Sequence, residues 1–246
     1  MDDFIFDREE ELQMLKQRLL KRKPFLLHGP TGVGKTLLIR SLLPQMPEAL
    51  YCESSASTQV VFRSVARALL ERHDRRVQAS CRNSDGVQAK SAVSLRGIVM
   101  DALCEGSYCV VVDHLNRPSQ SFAAAVREII SWCSTPVIAV ARSSHMEDTG
   151  FLQPLYSDRS EKYELKNLDT AVAGRFAEGI VRRDGLSASN IGEFLGKVLE
   201  FSEGNPGAIL SMLKMASYPK YRTDERIKIT PLYIDFRMNW TPAAAR

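Results

Sequence analysis

Gly29-Pro30-Thr31-Gly32-Val33-Gly34-Lys35-Thr36 has the form G-x-x-x-x-G-K-[ST], a phosphate-binding loop. Its flanks fit the chemistry. The apolar run Pro24-Phe25-Leu26-Leu27-His28 predicts a strand leading in, and Leu37-Leu38-Ile39-Arg40-Ser41-Leu42-Leu43 predicts a helix leading out. In such a loop the glycines let backbone N–H groups turn around an anion, and the helix N-terminus adds partial positive charge. We therefore expect nucleotide contacts from Gly29 through Thr36 and from Leu37 just after it. Lys35 is expected to reach the β- and γ-phosphates, and Thr36 to ligate Mg²⁺ through its hydroxyl.

Such a loop needs a carboxylate at a neighbouring strand end, holding the metal directly or through water. Tyr108-Cys109-Val110-Val111-Val112-Asp113 reads as a buried strand ending in that group, so Asp113 joins Thr36 as a metal residue. Hydrolysis calls for a base or a residue that positions water. His114 follows Asp113, where many such ATPases carry Glu, and an imidazole can take a proton near neutral pH. Glu53, ending the Tyr51-Cys52-Glu53 strand candidate, is the other choice, and a slow or non-hydrolysing site is the third reading. No N-K-x-D segment reads guanine; Lys166-Asn167-Leu168-Asp169 has the wrong order. Adenine is the expected base, giving ATP/ADP with Mg²⁺.

Outward from these residues, short apolar runs alternate with helical patterns up to about residue 167. Pro136 to Arg142 and Tyr163-Glu164-Leu165 are further strands, and helices are expected over 59–72, 94–103 and 119–132. That alternation predicts an α/β fold with a parallel sheet covered on both faces. Near the start, Asp7 is expected to cap a helix with Glu10 as box partner. The polar stretch 75–92 reads as a long loop. After Asp169, helical patterns remain at 169–183, 188–202 and 205–216, with Asp169 and Ser187 or Ser189 as caps. Ile227-Lys228-Ile229 and Leu232-Tyr233-Ile234 suggest a strand or hairpin. The expected organisation is a nucleotide-binding core over 1–167, a helical lid over 168–217 and a tail over 218–246.

The 246 residues are 44% hydrophobic and 25% charged, ordinary for a globular chain. Net charge is +4, which permits a nucleic-acid partner without arguing for one. Lys21-Arg22-Lys23 reads as a solvated helix end. Cys52, Cys81, Cys104, Cys109 and Cys133 form no C-x-x-C pair, so zinc is not expected and buried free thiols in a reducing cytoplasm are. Neither a signal-like segment nor an apolar run long enough for a bilayer is present, so no membrane role is expected.

Together these residues resemble the AAA+/STAND group of P-loop ATPases, in particular small prokaryotic switch ATPases, over roughly residues 4–216. Phe6-Asp7-Arg8-Glu9-Glu10-Glu11-Leu12 is similar to that group's F-x-x-R-E-x-E-L entry segment. Val137 to Ser143 is similar to the sensor-1 strand, whose closing Arg, here Arg142, faces the γ-phosphate. Ser202-Glu203-Gly204-Asn205-Pro206-Gly207 resembles the G-x-P motif of the helical lid, with Pro206 near the adenine. The resemblance implies an ATPase core with a C-terminal lid, nucleotide between them, and action on a protein partner, by self-association, or on DNA. Read from the residues alone, Arg142 at a strand end can sense a γ-phosphate, the alternative being a surface Arg paired with a carboxylate, and Gly204-Asn205-Pro206 is equally a helix-opening turn. Arg159 and Arg175 are candidate arginine fingers. His114 departs from the pattern and puts turnover, more than binding, in question.

Overall fold

The computed structural model describes residues 7–53, 57–158 and 161–240. Phe6 of the entry segment and Arg159 lie outside them. Two compact units are present. One comprises 8–29 and 35–164; the other comprises 30–34 and 165–240 with Asp7.

The first unit runs α1 (Glu9–Leu20), β1 (Phe25–His28), α2 (Lys35–Leu42), β2 (Ala49–Cys52), α3 (Thr58–Glu71), α4 (Arg75–Ser80), α5 (Ser84–Ala89), α6 (Ala92–Glu105), β3 (Cys109–Leu115), α7 (Gln120–Cys133), β4 (Val137–Ala141), α8 (Met146–Thr149) and β5 (Lys162–Glu164). The five strands form one parallel sheet in the order β2-β3-β4-β1-β5. Val110, Val111 and Val112 are buried in succession, which is why the strand reads as an unbroken apolar run. Phe62, Val65 and Leu69 of α3, Val99 and Leu103 of α6, and Phe122, Val126 and Ile129 of α7 join Leu50, Val110, Val112 and Ala139 of the sheet in one core. The parallel arrangement brings the C-terminal ends of β1, β3 and β4 to one edge, where open α/β sheets bind ligands.

In the second unit α9 (Thr170–Arg183), α10 (Ile191–Ser202), α11 (Pro206–Ala216), the two-residue hairpin strands β6 (Arg222–Thr223) and β7 (Arg226–Ile227), and α12 (Ile229–Asn239) share a core. Phe176, Ile180, Phe194, Val198, Ile209, Met212, Leu232 and Phe236 fill it. Asp169 caps α9 through Val172 N at 2.9 Å, as its position predicts.

Several local expectations fail for physical reasons. Residues 75–92 hold two short helices, not a loop. Asp74 caps one and Asn83 the other, while Val77, Cys81 and Val87 anchor both in the core. Three buried anchors are too sparse to register as a period. Asp7 is not a cap: Arg8 holds the N-cap position, with no side chain capping α1 and its own guanidinium donating to Glu11, and Asp7 pairs with Arg175 at 3.7 Å. Neither Ser187 nor Ser189 caps α10. Asn190 stands there, its side chain turned to Ile227, and Ser189 bonds Glu225 O. Leu232-Tyr233-Ile234 is helical in α12.

Cys104 and Cys133 form a disulfide joining the C-terminal ends of α6 and α7, which corrects the expectation of five free thiols; Cys52, Cys81 and Cys109 are buried and free. Burial pushes the Cys52 and Cys109 thiols up to about 12, so they are inert in the folded chain. Denatured without reductant, the protein should release three thiols to a colorimetric reagent, and five after reduction; five in both conditions would remove the bridge. Among the described residues, no helix is long and apolar enough to cross a membrane.

Candidate functional site

The chain leaves β1 at His28, and Gly29 N extends the sheet by donating to Arg142 O at 3.3 Å. The loop closes with Val33 N on Pro30 O at 3.3 Å, and α2 starts at Lys35. Gly32 and Gly34 have φ of +83° and +104°, conformations that L side chains rarely adopt. Thr36 is half-buried in the first turn of α2, and Leu37 beside it is 38% exposed.

Lys35 Nζ donates to Gly29 O at 2.6 Å. Burial draws its ammonium down to about 8, against the upward pull of Asp113 and Asp148; Arg142 lowers it further. Through Gly29, whose carbonyl takes Lys35 and whose N–H bonds Arg142 O, Lys35 and Arg142 lie at the C-terminal ends of β1 and β4, and Asp113 is on the neighbouring β3.

Asp113 is 1% exposed. The β3–β4 register shifts between Val112 and Leu115, and His114 inside that irregularity has φ +53°. The irregularity interrupts the strand pairing at Asp113 and His114. One oxygen accepts His114 N at 2.7 Å, and the other accepts Tyr51 Oη at 2.7 Å. Burial, then the bond to Asp113, pushes the Tyr51 phenol up to about 12, so it stays protonated and donates. The His114 ring is 62% exposed, with Nε2 3.9 Å from Asp113. Glu53 lies beyond the end of β2, is 74% exposed and pairs with Arg40 at 2.7 Å.

Arg142 follows β4. It pairs with Asp148 at 3.2 Å and donates to Asn116 Oδ1 at 3.3 Å. Ser143 Oγ holds the other Asp148 oxygen at 2.7 Å. The carboxylate partner that the residue-level reading allowed for Arg142 is thus present, on a buried Asp.

Pro206 opens α11, whose cap Asn205 accepts Ala208 N at 3.1 Å. The same amide donates to Thr31 O at 3.0 Å and Asn167 Oδ1 at 3.1 Å. Gly207 N donates to Gly32 O at 2.9 Å. Two consecutive loop carbonyls are therefore read by the G-x-P segment within one unit. A Cβ on Gly32 would lie 2.6 Å from Asn205 Oδ1 and 2.9 Å from the Trp240 ring.

A divalent cation fits the donor chemistry at this edge. The Thr36 hydroxyl and Asp113 carboxylate are hard oxygen donors, and each carboxylate oxygen keeps a lone pair beyond its present bond. Among the described residues no cluster of three His, Cys, Asp or Glu could hold a metal alone. Mg²⁺, which keeps waters and takes ligands from nucleotide phosphates, suits so sparse a set.

Sequence reasoning missed Tyr51, Asn116, Asp148 and Trp240, and saw Asn205 only as a cap. Tyr51, Asn116 and Trp240 act on partners distant in the chain, and Asp148 reaches back six positions to Arg142 through a turn that no residue pattern marks.

The AAA ATPase domain model matches residues 5–141, more than half of the chain. No curated protein matches it. Among solved structures, the Walker-type ATPase of Pyrococcus abyssi superposes with TM-score 0.60 at 20% identity, over 86% of this chain and 67% of that one. The ORC1 protein of Aeropyrum pernix, solved in complex with DNA, gives 0.63 at 18%, over 96% and 66%. A STAND protein with a tetratricopeptide repeat sensor from Pyrococcus horikoshii gives 0.52 at 12%, over 95% and 32%. The chain spans about two thirds of the first two and a third of the last, and at these identities the likeness is one of fold. With a parallel sheet whose strand ends carry Gly29, Lys35 and a buried aspartate, and with that match over residues 5–141, the chain belongs to the AAA ATPase domain family of P-loop modules.

Proposed function

We propose that the protein binds ATP with Mg²⁺ at loop 29–36, hydrolyses it, and works as a conformational switch on a macromolecular partner. The observation that supports this reading is geometric: Lys35 Nζ bonds Gly29 O, Gly29 N bonds Arg142 O, and Asp113 lies on β3 beside β4. Lys35 takes the β- and γ-phosphates. Thr36 and Asp113 would hold the metal, which would supply charge neutralisation to the phosphates. Arg142 distinguishes ATP from ADP, because a γ-phosphate offers charge and acceptors that compete with Asp148 for its guanidinium. His114 stands closest in sequence to the metal carboxylate and is the candidate base.

Calorimetry with ATP and ADP in Mg²⁺, together with steady-state phosphate release, tests this. Arg142→Gln should cut the preference for ATP over ADP about tenfold, the worth of one charged hydrogen bond. Unchanged preference would remove the sensing role, and absence of heat with either nucleotide would remove the function.

A second reading follows from the imidazole after Asp113 and from Glu53 being held by Arg40. With no carboxylate base in place, the protein would retain nucleotide with little turnover. Nucleotide that co-purifies and stays unconverted supports it; rapid conversion to ADP defeats it. Action on DNA gains support from the ORC1 neighbour solved with DNA and from the net charge of +4. That reading requires salt-sensitive DNA binding that strengthens with ATP.

A further inference from the structure

Tyr51 is the third residue of β2, paired in register with Val111, two positions before Asp113. Its hydroxyl donates to Asp113 Oδ2 at 2.7 Å, while Oδ1 is fixed by the N–H of His114 at 2.7 Å. A carboxylate with one oxygen on a backbone amide and the other on a phenol cannot rotate without breaking a bond in a buried setting. The phenol is held in turn. The Arg40 guanidinium of α2 lies 5.3 Å from the Tyr51 ring centroid, its Nε is 3.4 Å from the hydroxyl, and its Nη2 reaches Glu53 at 2.7 Å. Tyr51, Asp113, His114, Arg40 and Glu53 belong to the same compact unit.

We propose that Tyr51 is a positioning residue that sets the plane of the Asp113 carboxylate for the cation accompanying the nucleotide, with Arg40 and Glu53 holding the phenol in place. This rests on the nucleotide reading above and goes beyond it by giving the β2 residues a role. Two effects of the phenol oppose each other. Its donation draws charge off Oδ2 and weakens the carboxylate as a ligand, while it also removes the rotational freedom that the cation would otherwise have to freeze. Partners that orient a ligand typically contribute 10–100-fold to metal affinity or activity, so orientation wins. Oδ2 keeps a second lone pair, so donation does not block it.

The test uses the full chain and a fluorescent N-methylanthraniloyl-ATP, titrated once in MgCl₂ series and once in EDTA. Tyr51→Phe keeps the ring and removes only the hydroxyl. We expect its Mg²⁺ midpoint for nucleotide binding to rise about tenfold with affinity in EDTA unchanged, since the loop amides and Lys35 need no metal. Asp113→Asn should abolish the metal-dependent part of binding. Arg40→Met, at an exposed position, should shift the midpoint in the same direction by about twofold to threefold and serves if Tyr51→Phe fails to fold. A Tyr51→Phe midpoint equal to wild type, with Asp113→Asn defective, overturns the role of Tyr51 and leaves the nucleotide site standing. Equal losses in Mg²⁺ and EDTA overturn it too, because they signal a merely structural role. If wild type and Asp113→Asn respond alike to Mg²⁺, the metal role of Asp113 fails and this inference with it, whereas no binding in either medium removes the nucleotide reading itself.

Discussion

Lys35→Met should weaken ATP binding by at least about a hundredfold while making the nucleotide-free protein more stable. The loss follows from removing charge-assisted bonds to two phosphates, about 1.5–3 kcal/mol each. The gain follows from burial. The ammonium sits at about 8 in the folded chain against a usual 10.5, so the fold disfavours the charged form. Below pH 8 both folded and unfolded chains carry the proton, and the folded state bears the whole cost. Between 8 and 10.5 the folded chain releases the proton first, and stability rises with pH. At pH 7 the methionine variant escapes that cost, a gain on the order of 2 kcal/mol. Urea denaturation at pH 7 and pH 10 measures it, and the difference between variant and wild type should shrink at the higher pH. A variant less stable at pH 7 would contradict the desolvation argument, and one that binds ATP normally would contradict the site. The same sign governs ligand affinity. A triphosphate selects the protonated lysine, so wild-type affinity should fall about tenfold from pH 8 to pH 9.5.

The second large effect is expected at Gly32. Alanine there must adopt φ near +83°, about 1–2 kcal/mol above an ordinary conformation. Its methyl would also meet Asn205 Oδ1 at 2.6 Å and the Trp240 ring at 2.9 Å. Asn205 cannot retreat without cost, because it caps α11 and holds Thr31 O and Asn167. Losing that set adds about 1–2 kcal/mol, for a total near 3 kcal/mol. In a Trp132→Phe background, Trp240 is the only tryptophan left and its emission reports on this contact directly. The unfolding midpoint should drop and the Trp240 signal change before denaturant is added. Combining Gly32→Ala with Asn205→Ala should cost less than the sum, since both disturb one set of bonds. Strict additivity would show that loop and cap act independently.

The parallel sheet was legible because buried strands such as Val110 to Val112 and Val137 to Ala141 read as apolar runs of strand length between helical periods. The glycine loop was legible because it fixes residue type at close spacing. The helices at 75–80 and 84–89 were not: each is six residues long, with Val77, Cys81 and Val87 as sparse anchors. A helix that short takes its stability from caps and from the core it touches. Asn190 escaped notice as the residue before α10 because its side chain serves Ile227, 37 positions away. The Cys104–Cys133 bridge spans two helices whose ends only the core brings together.

By itself the sequence determined the phosphate loop, the strand that feeds it, the carboxylate that ends a valine run and the helical character of residues 169–216. These rest on short-range rules of residue type, period and spacing. Only the tertiary structure decided which groups surround them. It put a phenol from β2 on Asp113, Asp148 on Arg142, and Asn205 on the carbonyl of Thr31, and it sent Glu53 to Arg40. Apart from Asp148, which reaches back six positions to Arg142, those pairings depend on strand order and helix packing, where residues far apart in the chain meet because the core leaves them no other place.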